Sequence, residues 1–259
     1  MKPWHSLAEK NVWVVGGAGY LGSAITTALD SECARTVCID LPGKSEALVQ
    51  EKALQRTVPA AFDLTATDGI EAFIDQTVQA HGLPDGVVYL VFASSRNKRL
   101  AELTKDDFQQ TLDLALPPAF IFCRAIADRM SVRGSGSVVL FSSMYGVVAP
   151  DPKIYRGILK PNPIDYGATK AALLQMSRYF AVHYGPAGIR FNCVTPGPFS
   201  NPSLQKNDPE FMAELSRKTA LGRIGQSAEV VGPTLFLLTD SASFVTGHSL
   251  VVDGGWTIW

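Results

Sequence analysis

Long apolar runs are missing from this sequence. No stretch of its 259 residues approaches the about 20 needed to span a bilayer, and MKPWHSLAEK at the start holds no apolar leader. Charge imbalance is missing too: 23 basic and 24 acidic residues leave a net charge of −1, without a basic field for nucleic acid or anionic membrane. Cys33, Cys38, Cys123 and Cys193 show no C-x-x-C spacing and read as buried free thiols. His5, His81, His183 and His248 include no i,i+4 pair, so no metal site is expected. What remains is a cytoplasmic globular protein, 46% hydrophobic and 18% charged, working on a small molecule.

Short apolar runs alternate with longer helical patterns. Residues 12–16, 36–40, 58–63, 86–92, 137–143, 189–195 and 249–255 read as strands, and the segments between most of them carry helical spacing. Near-continuous apolar strands alternating with helices predict an α/β fold, a doubly wound parallel sheet covered on both faces. No linker or repeat interrupts it, so residues 1–259 are expected to form one domain. Two segments rich in Pro and Asn, 144–165 and 196–215, read as loops on the carboxyl edge, where open α/β sheets bind ligands.

The run VVGGAGYLGSAI puts Gly16, Gly19 and Gly22 on a strand-to-helix turn. Glycines there let the backbone approach a pyrophosphate, which the helix N-terminus attracts. Asp40 closes the second strand, 18 residues after Gly22. A carboxylate at that place accepts hydrogen bonds from ribose hydroxyls and repels a 2′-phosphate, which favours NAD over NADP. Gly43-Lys44-Ser45 is not a P-loop, because Cys38 stands where its first glycine belongs. Nor is GSGS at 134–137 a G-x-S-x-G nucleophile turn.

Two tyrosines have a lysine shortly downstream. Tyr166 and Lys170 are four apart in a run of good helical periodicity, hence one turn apart on one face. Tyr155 and Lys160 are five apart in a stretch broken by Gly157, Pro161 and Pro163, and read as loop. A free phenol, with a pKa near ~10, is a poor acid or base at neutral pH; an ammonium beside it favours the phenolate. Tyr166 is the candidate.

Tyr166-x-x-x-Lys170, the glycine turn, the Ser-Ser closing the fifth strand, IRFNCVTPGP and the C-terminal block from Leu221 to Gly255 together resemble the short-chain dehydrogenase/reductase family. The resemblance implies a Rossmann-like seven-stranded sheet, a nicotinamide cofactor and a homotetramer. It makes Ser143, Tyr166 and Lys170 the catalytic set. It assigns cofactor contacts to Gly16, Gly19, Tyr20, Leu21, Gly22, Asp40, Leu41, Asp63, Leu64, Ala93, Tyr166, Lys170, Pro196, Gly197 and Phe199. Asp63 would meet adenine, and Pro196-Gly197 would line the nicotinamide pocket. In that scheme Tyr166 passes the proton, Ser143 stabilises the substrate oxygen, and Lys170 lowers the tyrosine's pKa and holds the nicotinamide ribose.

The sequence departs from that family in four places. Val15 and Tyr20 replace the usual Thr and Gly of the turn. Val91 to Ser94 read VFAS where NNAG is expected, so local bonding there must come from elsewhere. Ala115 replaces a relay asparagine. Ser143 and Tyr166 are 23 residues apart, more than is usual, so the excess must loop out at the substrate mouth. Arg96, Lys98, Arg99, Lys153, Arg156 and Lys160 would place cations there, with Asp151 and Asp165 partly balancing them. With Ser143 and Tyr166, Arg96 and Arg156 are therefore candidate substrate contacts. The insertion and the DGGWTIW ending are similar to a branch acting on sugars and sugar acids. The expected function is an NAD-dependent dehydrogenase for a sugar-like, possibly anionic, molecule. A carbonyl reductase for acyl or aromatic substrates and a catalytically silent dinucleotide-binding protein are the alternatives.

Overall fold

The structure, a computed structural model, describes residues 6–95, 98–155 and 161–259. Seven strands, β1 (Asn11–Val15), β2 (Arg35–Asp40), β3 (Thr57–Ala61), β4 (Gly86–Tyr89), β5 (Gly136–Phe141), β6 (Ile189–Pro196) and β7 (Ser249–Val252), form one all-parallel sheet in the order 3-2-1-4-5-6-7. Side chains alternate between its faces. Trp13, Val15, Tyr89, Val138, Leu140 and Phe191 enter one apolar cluster, whereas Val12, Val14, Val88, Val139 and Val194 enter the other. The helices α3 (Ile70–His81), α4 (Lys105–Arg133) and α5 (Ile164–Tyr184) cover the first face. The second lies under α1 (Tyr20–Glu32) and α8 (Val231–Leu238), while α2 (Lys44–Glu51) packs beside β2 and β3. This is the Rossmann-like α/β fold expected.

Two strands stop earlier than their apolar runs suggest. β4 ends at Tyr89, and after Leu90 donates one more bond to Val15 O the chain leaves the sheet. β7 ends at Val252 because Gly254 and Gly255 turn at φ of 63° and 83°. A larger correction concerns 196–215, expected as loop: it contains α6 (Pro202–Asn207) and α7 (Pro209–Arg217). Asn201 and Asp208 cap these helices, their side chains accepting from the amides of Leu204 and Phe211 at 2.9 Å, and proline takes the first helical position in both. Asn-Pro and Asp-Pro are helix starts here. Asn201→Ala and Asp208→Ala should each cost about 1 kcal/mol, read from the midpoint of urea unfolding. Unchanged midpoints would mean that packing alone holds α6 and α7.

Strand order reverses between β1 and β4, which puts a crevice at their carboxyl ends. The described helices include none long and apolar enough to cross a membrane.

Candidate active site

The crevice starts at the glycine turn. Gly16 has φ +79°, and a Cβ on Gly22 would lie 2.2 Å from Gly16 O, so neither place admits a side chain. α1 then begins with no side-chain cap and no acidic residue in its first turn, leaving its amides and dipole for an anion. Asp40 stands beside them. Its Oδ2 accepts from Ala18 N and its Oδ1 from Leu41 N, both at 2.9 Å, and each oxygen keeps a lone pair for a ribose hydroxyl. The residues therefore fit a dinucleotide. Gly17 was not singled out in the sequence, yet a Cβ there would meet Cys38 Sγ at 2.8 Å.

The other expected cofactor contacts are scattered along the same edge. Tyr20 and Leu21 open α1, with Leu21 packed on the second cluster. Leu41 is exposed and Ala93 half-buried. Exposed Asp63 accepts from Thr65 N and Oγ1, whereas the Leu64 side chain belongs to the core. Pro196 ends β6, Gly197 N bonds Val252 O at 2.9 Å, and Phe199 leans on the second cluster and against Gly225.

At the ends of β5 and β6 the expected catalytic residues share one corner. Lys170 is buried on α5, and its Nζ donates to Phe141 O at 2.8 Å, while Ser142 Oγ donates to Lys170 O. The next residue, Ser143, caps a 3₁₀ turn (Met144–Gly146) by accepting from Tyr145 N. That turn lies on α5 so closely that a Cβ on Gly146 would sit 2.8 Å from the Lys170 carbonyl carbon. Lys170 Nζ is 5.8 Å from the Tyr166 ring centroid and 5.5 Å from that of Phe92, and these two rings meet edge-on. Burial depresses the Lys170 ammonium to about 8. Phe92 escaped the sequence reading: it occupies an asparagine position of the expected NNAG, and lines a cleft of about 520 Å³ with Ala93, Ser95, Lys98, Thr111 and Leu114.

The local bonding that NNAG would have supplied comes from Asp165. Expected as a rim charge, it is fully buried instead. Its Oδ2 accepts from Ser95 N at 3.1 Å, from Ser95 Oγ and from Thr111 Oγ1 at 2.7 Å, and its Oδ1 from Tyr166 N at 2.6 Å. Thr111 lies one turn before buried Ala115 on α4.

Tyr155 is part of an aromatic wall. Its hydroxyl is 2.7 Å from that of Tyr145, its ring is 5.1 Å from Phe211, and Tyr145 packs in a cluster with Met144, Ile154, Leu215 and Trp256. Burial pushes both phenols above their usual range, so they stay protonated at neutral pH. The expected cationic rim is partly neutralised. Lys98 pairs with Asp107 at 2.6 Å and helps hold that carboxyl at about 2. Asp151 pairs with Lys218 at 2.6 Å, joining the inserted segment to the end of α7. Arg99 and Lys153 are exposed, Trp259 protrudes, and Arg96, Arg156 and Lys160 lie outside the described residues.

Comparison with known proteins agrees with this fold. Residues 17–257 match the family model adh_short_C2, described as enoyl-(acyl carrier protein) reductase. A protein named probable galactose dehydrogenase, from Rhizobium meliloti (strain 1021), is 28% identical over 257 residues, 96% of this chain and 95% of that one. The crystal structure of a putative gluconate dehydrogenase from Agrobacterium tumefaciens superposes with a TM-score of 0.88 at 26% identity, covering 99% of both chains. A short-chain dehydrogenase from Leptospira borgpetersenii with bound NAD+ superposes with a TM-score of 0.85 at 27% identity, covering 99% of this chain and 96% of that one. With the match running nearly end to end on the expected sheet, the chain belongs to the short-chain dehydrogenase/reductase family and is an oxidoreductase.

Proposed function

We propose that the chain is an NAD-dependent dehydrogenase that oxidises a hydroxyl of a sugar or polyol at Ser143, Tyr166 and Lys170. The observation that carries this reading is the Lys170 ammonium, held by Phe141 O beside the Tyr166 ring. The α1 amides and Asp40 would hold a nicotinamide dinucleotide, which would supply the hydride acceptor. Tyr166 takes the hydroxyl proton of the substrate. Ser143 accepts from Tyr145 N, which leaves its own proton to donate to the substrate oxygen as charge develops there. Lys170 has two N–H groups beyond the one on Phe141 O, for the phenolate and the nicotinamide ribose.

The names of the galactose and gluconate dehydrogenases support a polyhydroxylated substrate, and NAD+ in the Leptospira structure supports the cofactor. Asp107 holds Lys98, one of the cations expected at the mouth, which weakens its pull on an anionic substrate. The aromatic wall of Tyr145, Tyr155 and Phe211 favours a second reading, a carbonyl reductase for an apolar ketone.

A panel of D-galactose, D-gluconate, glycerol and an aromatic secondary alcohol separates the two, with NADH formation as the readout. Turnover of a sugar or polyol above the aromatic alcohol is expected, and the reverse order would select the second reading. NADH should bind more tightly than NADPH. Asp40→Ala should weaken NADH by about tenfold, the worth of a hydrogen bond to a charged group. Tighter binding of NADPH by the unaltered protein would overturn the role given to Asp40.

We also propose a cytoplasmic homotetramer. Two separate exposed apolar faces suit it: Phe120, Tyr179 and Val182 on α4 and α5, and Phe236, Phe244 and Val251 beside β7. Four free cysteines suit a reducing compartment.

A further inference from the structure

We propose that Asp165 is a positioning residue that holds Tyr166 in its reactive placement, an inference resting on the reading of Tyr166 as the proton-transfer group. A buried carboxylate is costly unless its oxygens are satisfied. Asp165 has four donors from three elements: Ser95 N and Oγ after β4, Thr111 Oγ1 on α4, and Tyr166 N on α5. Each neighbour donates, so the site suits a group that only accepts. Pro163, the N-cap residue of α5, offers no side-chain cap, and the Asp165 carboxylate accepts from Tyr166 N in the first turn instead. Ser95 also follows Phe92 by three residues, and the Phe92 ring meets Tyr166 edge-on. One carboxylate thus fixes both the backbone that carries the phenol and the loop that walls it.

The amide in Asp165→Asn offers one acceptor oxygen where two are used. In either orientation its NH₂ faces a backbone N–H, that of Tyr166 or that of Ser95. The double variant Ser95→Ala/Thr111→Val removes donors from the far side and leaves the carboxylate in place. Both are compared with the unaltered full-length protein in three measurements: NADH binding by fluorescence, kcat and KM on the sugar panel, and fluorine NMR of fluorotyrosine-labelled protein. Tyr166→Phe assigns the Tyr166 resonance.

Both variants should bind NADH within threefold of the unaltered protein. The Tyr166 resonance should move in the same direction in both. With KM unchanged, kcat should fall by about thirtyfold, within what a misplacement of ~1 Å costs a catalytic group. A Tyr166 resonance unmoved by either change overturns the proposal. So does a kcat loss that only matches the loss of NADH-binding protein, which is the mark of a purely structural cap. Should the unaltered protein bind NADH yet turn over nothing in the panel, the substrate reading fails, and the NMR comparison alone still decides the role of Asp165.

Discussion

Tyr166→Phe is expected to lower kcat by about a thousandfold, within the range for loss of a general acid–base group. The substitution removes one hydroxyl and keeps the ring that meets Phe92 edge-on and lies 5.8 Å from Lys170 Nζ. NADH affinity should therefore stay within threefold, and the melting temperature should barely move. Tyr145 and Tyr155 cannot substitute, because burial holds both phenols in the protonated form. Steady-state turnover with NAD+ and whichever panel substrate is active provides the measurement. Activity within tenfold of the unaltered protein would remove Tyr166 from the mechanism.

Replacing Lys170 with Met, of similar length and uncharged, should lower kcat by about a hundredfold, in line with removal of one preorganised donor from a dry site. Its pH behaviour is the sharper test. Burial disfavours the ammonium, so its pKa in the folded protein, about 8, lies below the ~10.4 of an unfolded lysine. Activity that needs the ammonium is full below about 8 and falls as pH rises through it. Stability runs the other way. Between about 8 and ~10.4 the unfolded chain holds a proton that the folded one has released, so this residue stabilises the fold as pH rises, by on the order of 3 kcal/mol in all. Below that window the buried charge opposes folding. Lys170→Met should abolish both trends, and near neutrality the relief of a buried charge offsets the loss of a partner for Phe141 O. Rate profiles and urea unfolding across that range read the two effects. An alkaline limb that stays at the same pH in the methionine variant would assign it to another group.

The strands and the glycine turn were legible because their signals are local. Val12 to Val15 alternate between two cores, and Gly16 and Gly22 lie where a Cβ cannot go. The placement of Tyr166 and Lys170 on one face of α5 was legible through helical spacing. Asp165 was not, because a carboxylate next to a turn reads as surface until three elements bring their donors to it. Phe92 was hidden for a related reason: its apolar run continues β4, and only the departure of the chain after Leu90 turns it toward Tyr166. In α6 and α7 the local signal is ambiguous, since Pro after Asn or Asp marks a helix start as readily as a loop. Pairing of charges across long separations, as between Asp151 and Lys218, leaves no trace in local sequence.

All four cysteine sulfurs lie inside the protein. Burial pushes Cys33 and Cys38 up to about 12, Cys193 to about 11 and Cys123 higher still, so none is a thiolate at neutral pH. An alkylating reagent therefore has nothing to attack until some part of the molecule opens, and each sulfur becomes a clock for its own region. Cys33 times the α1 side of the sheet, and Cys123 with Cys193 times the side under α4 and α5. Cys38 lies directly beneath the glycine turn, against Gly17. Its labelling rate should slow in step with occupancy when a dinucleotide seats above it, which makes this thiol an internal reporter of binding that requires no turnover.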